Sequence, residues 1–137
     1  MRFMLIVKAN KDSENGVMPD ENRFAVMVAY HEALVKAGVL LDASGLQPSA
    51  KGWRIQFAGG KRSVIDGPFT ETKELIAGYT ILQVKSREEA LEWAKRMPNP
   101  AGDHDSEIEI RQLFELEDFP PSTSIERFRQ MEIGLKT

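Results

Sequence analysis

Two stretches of this chain are apolar at almost every position and ask for cover from both sides. Phe3, Leu5 and Val7 alternate with Met4 and Ile6, and Leu75, Ala77, Tyr79 and Ile81 alternate with Ile76, Thr80, Leu82 and Val84. A strand with one wet face alternates apolar and polar residues, so these two runs predict central strands buried on both faces. Helical periodicity separates them. Phe24, Met27, Val28, His31, Leu34 and Val35 recur at i, i+3, i+4 and i+7, which predicts an amphipathic helix with that stripe, and His31 on it, turned inward. The helix opens after Pro19-Asp20-Glu21, where negative charge favours a helix N-terminus, and Gly38 is placed to end it in a left-handed conformation. Asn10 to Asp20 reads as loop.

Val39 to Leu41 predicts a short strand running into a polar turn over residues 42–48. Trp53, Ile55 and Phe57 alternate with Arg54 and Gln56, and Gly59-Gly60 supplies the positive-φ residues of a tight hairpin that returns over Ser63 to Asp66. Gly78 inside the longest strand marks a bulge or a close contact. Ser86 with Glu89 three positions on is a capping box, opening a helix whose Ala90, Trp93, Ala94 and Met97 face one way before Pro98 stops it. Asn99 to Ser106 reads as exposed loop, and Ile108 and Ile110 alternate with Glu109 and Arg111 in a last strand. Beyond residue 118 an extension with Ile125, Phe128, Met131 and Leu135 predicts a weakly amphipathic helix packed on a partner or on the domain edge.

This pattern predicts an α+β domain with two helices on one face of an antiparallel sheet. The two-faced strands then leave the second face bare. At ~25 cal/mol per Å2, a bare face of several hundred Å2 forfeits on the order of 10 kcal/mol, comparable with the stability of a whole domain. Either a second copy's sheet or the C-terminal tail covers it. The weak periodicity of the tail favours the second copy, and the expectation is a homodimer with sheets face to face.

At 137 residues, 42% hydrophobic and 28% charged, the chain has the size of a single domain. A net charge of -3 with scattered Lys and Arg gives no footprint for nucleic acid. The apolar N-terminal run ends at Lys8 without a cleavage site, and no run approaches a membrane span, so the expectation is a cytoplasmic protein with no membrane partner. No cysteine is present, which removes thiolate nucleophiles and sulfur-ligated metal. Gly59-Gly60 lacks the helix-leading spacing of a phosphate loop, and Asp103-His104-Asp105 are adjacent residues on one loop without a distant third ligand. No cofactor and no metal are expected.

The run Asp66-Gly67-Pro68-Phe69-Thr70-Glu71-Thr72-Lys73-Glu74 resembles the signature of the DGPF group of YCII-related proteins. Gly45-Leu46-Gln47-Pro48, Glu89-Ala90-Leu91-Glu92-Trp93-Ala94 and Glu107-Ile108-Glu109-Ile110-Arg111 resemble the same group in order and spacing. The resemblance covers residues 1–118, with 119–137 as an extension. It implies a ferredoxin-like domain forming a dimeric α/β barrel and leaves the activity open. Shorter relatives carry a histidine on the first helix at the position of Met27; here the histidine is His31, one turn later.

Asp66-Gly67 favours a turn needing positive φ, Pro68 fixes the exit, and Phe69 is shaped to plug an apolar recess. Thr70, Glu71 and Lys73 offer more hydrogen-bonding groups than a turn requires, making the motif a candidate ligand contact as well as a shaped loop. His31 is the candidate general acid or base, against the alternative of a satisfied core histidine, with Asp66 to orient it and Tyr30, Lys73 and Arg111 to stabilise a developing oxyanion. These residues suit cofactor-independent lyase or isomerase chemistry on a small organic molecule. The resemblance also implies an alternative, a non-catalytic interaction or regulatory protein linked to transcription initiation factors.

Overall fold

The computed structural model describes residues 1–131. Its main sheet is built from β1 (Arg2–Lys8), β2 (Leu40–Gly45), β5 (Ile76–Gln83) and β6 (Ile108–Gln112), all pairs antiparallel, in the order β2-β5-β1-β6. The helices are α1 (Lys11–Glu14), α2 (Glu21–Lys36), α3 (Arg87–Lys95) and α4 (Thr123–Gln130), and a separate hairpin of β3 (Trp53–Ala58) and β4 (Lys61–Asp66) is inserted between β2 and β5. With α2 following β1 and α3 following β5, the four main strands and two long helices form a ferredoxin-like α+β domain, the layering the pattern predicted and the fold the family resemblance implied.

Register assigns the faces. Phe3 stands opposite Leu82, Leu5 opposite Thr80 and Ile110, and Val7 opposite Gly78 and Ile108. Phe3, Leu5 and Leu82 pack against Tyr30 and Leu34 of α2 and Ala90 and Ala94 of α3 in one core cluster. Met4 pairs with Ile81 and Arg111, and Ile6 with Tyr79 and Glu109, so the other face carries a half-buried apolar centre flanked by charge. Met4, Ile6, Tyr79 and Ile81 of that second face are not among the residues of the buried core cluster or those packed against it. Lys8 and Arg111 both bind Glu109 there, at 3.1 and 3.2 Å. The hydrogen bond from Lys8, then that from Arg111, holds the Glu109 carboxyl below its usual range.

Local chemistry sets the boundaries. The Asp20 carboxylate accepts from the Arg23 amide at 2.8 Å and caps α2, and Gly38 follows its last turn at φ 74°. Ser86 caps α3 through the Glu89 amide, but Glu89 closes its own bond on the Lys85 amide, one residue before the N-cap. Gly59 and Gly60 turn the hairpin at φ 57° and 74°. At Gly78 the register shifts between Val7 and Lys8, and a Cβ would stand 2.9 Å from the Ser44 carbonyl oxygen, so bulge and close contact coincide.

Three expectations change. The turn over residues 42–48 is strand as far as Gly45, because pairing with β5 extends β2 past its apolar start. The loop before α2 contains α1, built by Asn10 accepting from the Ser13 amide at 2.8 Å while Ser13 accepts from the Asn10 amide at 2.9 Å. The buried stripe of α2 is rotated toward Tyr30 and Leu34, leaving Phe24, Val28 and Val35 exposed at 55%, 40% and 62%. The small side chains of Ala90 and Ala94 on α3 let the core draw Tyr30 in. In the tail, α4 forms but keeps Phe128 and Met131 exposed, while Leu135 lies outside the described residues.

Candidate functional site

The rotation of α2 opens a cleft. Its exposed flank, with Phe24, Val28 and Val35, faces the edge strand β2 and the segment Leu46-Gln47-Pro48 across a volume of about 1410 Å3. Val7, Ala77, Gly78 and Thr80 form the floor, and Met18, Pro19 and Met97 to Pro100 close the ends. Sites that enclose one drug-sized ligand run ~300–1,000 Å3, so this cleft is larger than one such ligand needs.

His31 sits on α2 at the boundary between the buried stripe and the cleft flank. Its Nδ1 lies 2.8 Å from the Met27 carbonyl oxygen and its Nε2 lies 2.9 Å from Thr80 Oγ1. A carbonyl oxygen only accepts, so Nδ1 carries the hydrogen, and in the neutral ring Nε2 holds the lone pair and accepts from the Thr80 hydroxyl. Thr80 is 3% exposed. A basic nitrogen with a fixed tautomer, bonded to a hydroxyl on the cleft floor, is equipped to take up or release a proton.

The charged lining residues are Arg23, Lys36 and Lys51 against Glu32, a positive balance in a chain of net charge -3. Arg23 is braced by a 2.6 Å bond from Nη2 to the Pro100 carbonyl. The cleft therefore combines apolar walls with a cationic rim.

Of the site residues the sequence suggested, only His31 lines this cleft. Tyr30 turns the other way, buried at 6%, and donates its hydroxyl to the Trp93 carbonyl at 2.7 Å. Burial pushes its phenol up to about 12 against a smaller opposing effect of Arg96. Arg111 stands beside Glu109 on the second sheet face. Asp66 pairs with Trp53 at the foot of the hairpin, and the structure does not bring it to His31. Thr70, Glu71 and Lys73 are exposed on the loop that follows. Phe69 is half-buried under the Arg54 guanidinium, 3.8 Å from the ring centroid.

The motif loop acts on the rim of the cleft through Ser49. Gly67 does not need positive φ; it is there because a Cβ would fall 1.8 Å from the Ser49 carbonyl oxygen. The Gly67-Pro68 bond is cis. The Gly67 amide bonds Gly52 at 3.0 Å, and the Phe69 amide donates to Ser49 Oγ at 3.0 Å. Glu14 accepts from both the amide and the hydroxyl of Ser49. Short α1, the motif loop and the residues around Pro48 are thus tied together beside the cleft. Thr80 had a signal in the sequence, a lone polar residue on an apolar strand face; Ser49 and Glu14 had none.

The fold and cleft define a ferredoxin-like α+β domain with a ligand-sized opening between its first long helix and its sheet. The chain belongs to the YCII-related family: residues 1–117 match the YCII-related domain. An uncharacterized protein of Rhizobium meliloti (strain 1021) is 31% identical over 104 residues, spanning 76% of this chain and 78% of the relative. Among solved structures, 5-chloro-2-hydroxyhydroquinone dehydrochlorinase of Burkholderia phenoliruptrix AC1100, in complex with 2,5-dihydroxybenzoquinone, is similar over 83% of this chain and 94% of its own at 14% identity and a TM-score of 0.47. That likeness is too remote to bear on chemistry.

Proposed function

We propose that this protein is a homodimer that binds a small organic molecule in the cleft beside α2 and moves a proton on it, without a cofactor, in a lyase- or isomerase-type reaction. The observation that carries this reading is His31, whose Nδ1 is held by Met27 so that Nε2 faces Thr80 at the cleft floor. A ligand C–H or O–H placed there gives its proton to Nε2, directly after displacing the Thr80 hydroxyl or through that hydroxyl as a relay. The resulting imidazolium returns the proton to another atom of the ligand, or to a leaving group. Apolar walls with Arg23, Lys36 and Lys51 at the rim favour an aromatic or cyclic molecule bearing an acidic group.

The test is a thermal-shift panel of phenolic and cyclic carbonyl compounds, each with a neutral counterpart, followed by proton exchange of the hits in D2O read by NMR. Acidic members stabilise the protein and exchange a proton; His31→Asn keeps the stabilisation and loses the exchange. Absence of any stabilising compound, or exchange unchanged in H31N, overturns the proposal.

The exposed Phe128 and Met131 of α4 favour a second reading, a non-catalytic interaction role linked to transcription initiation factors. Pull-downs with and without residues 119–137 separate the two: a transcription initiation factor lost on truncation supports it, and identical recoveries count against it.

A further inference from the structure

The hairpin β3–β4 stands away from the rest of the molecule, with every residue of both strands exposed. Its register puts Ile55 opposite Val64, Trp53 opposite Asp66 and Phe57 opposite Arg62, so Trp53, Ile55, Phe57 and Val64 share one face with Asp66 and with Arg62, whose guanidinium lies 4.9 Å from the Phe57 ring centroid. The four apolar side chains are 64%, 51%, 69% and 67% exposed. An isolated two-stranded hairpin is at best marginally stable in water, and an exposed apolar face rimmed by polar and charged residues marks a contact surface.

We propose that this hairpin is an exchange arm: its apolar face docks on a second copy of this chain, and the partner's arm docks on the first by the same contact. Size supports that occupant. At the side-chain areas typical of Trp, Phe, Ile and Val, the four residues expose on the order of 500 Å2 per arm. Two arms with the surfaces receiving them then bury about 2,000 Å2, the scale of a stable protein interface. Self-association also covers an arm with an equivalent surface on each copy and closes as a twofold dimer instead of growing into a chain. The second sheet face, with Met4, Ile6, Tyr79 and Ile81, asks for cover on the same molecule, and one twofold association serves both surfaces.

The arm reaches the cleft through its foot. Residues 49–52 and 66–69 form that foot, bonded through Ser49, and Pro48 and Lys51 beside it line the cleft. Docking the arm on a partner therefore adds a hold on one rim of the arm's own cleft, beyond the bonds that Ser49 makes with Glu14 and Phe69 within one subunit. This inference rests on the homodimer proposed above, and its test is chosen so that the two fail separately.

The two tryptophans make the test direct. Trp93→Phe leaves Trp53 as the sole reporter, and its emission and acrylamide quenching are read across a dilution series with sedimentation velocity on the same samples. A dimer with blue-shifted, quencher-protected Trp53 that becomes red-shifted and open as it dissociates is the expected result. In the wild-type background, the double variant Trp53→Ser/Phe57→Ser shifts dissociation to higher concentration while circular dichroism retains the subunit fold. A dimer with Trp53 open to quencher overturns the arm and leaves the dimer standing. A monomer at all concentrations overturns both, and a protected Trp53 in a monomer shows the arm packed on its own chain and overturns the exchange.

Discussion

His31 and Thr80 show how one contact can serve packing and chemistry together. Bonds at 2.8 and 2.9 Å satisfy both ring nitrogens, so the histidine is at once a satisfied core residue and the cleft's candidate base. Thr80→Val keeps the shape and removes the hydroxyl, leaving Nε2 half-buried without a partner. The expected cost is about 1–3 kcal/mol in urea unfolding at neutral pH, together with loss of any exchange activity that His31 supports. Gly67 is constrained more severely, because its missing side chain is the space Ser49 occupies. Gly67→Ala is expected to lower the thermal midpoint, and amide exchange localised to residues 49–52 and 66–69 checks that the damage sits at the hairpin foot. Tyr30 gives a pH signature. Its phenol titrates at about 12 in the folded protein against an ordinary value near 10, so between those values the unfolded chain releases a proton that the folded chain keeps. Stability from this group is complete below pH 10 and is lost as pH rises toward 12, to a total of about 2–3 kcal/mol. Urea melts between pH 9 and pH 12 check the slope, which flattens in Tyr30→Phe relative to the wild type.

At the scale of elements, helix α2 decides where the site lies. Its apolar positions span a wider arc than one sheet can cover, and the Tyr30–Trp93 bond turns the helix so that the surplus faces β2. The sequence stripe correctly put His31 near the interior, while the direction of the rotation depended on Ala90 and Ala94, more than fifty residues away. The capping of α2 was legible from Asp20, which is local chemistry. Asp20→Ala removes the bond to the Arg23 amide and is expected to destabilise the protein by about 1 kcal/mol in thermal or urea unfolding. The hairpin was legible for the same reason, since alternation and two glycines set its register without help from the rest of the chain. What it touches was not legible.

At the scale of the whole molecule, the second sheet face is the dominant consequence. Both central strands carry apolar residues there that lie outside the buried core cluster, and Lys8, Glu109 and Arg111 border it. Ile81→Glu places a charge at the centre of that face, where burial between two sheets without a partner is costly. The expected outcome is a subunit that keeps its far-ultraviolet circular dichroism and sediments as a monomer at concentrations where the proposed wild-type dimer forms. An unchanged sedimentation coefficient would argue for an association built elsewhere.

By itself, the sequence determined the central strands and their faces, the two long helices and the hairpin, because alternation, helical spacing, caps and turn glycines act over a few residues and oppose one another little there. It also determined the family and placed the histidine near the interior. The rotation of α2, the pairing of His31 with Thr80, the clamp of Glu14 and Gly67 on Ser49, and the separation of Asp66 from His31 were decided only in the tertiary structure. Each joins residues distant along the chain, and such contacts follow from how whole surfaces fit once the core has chosen which side chains it can enclose.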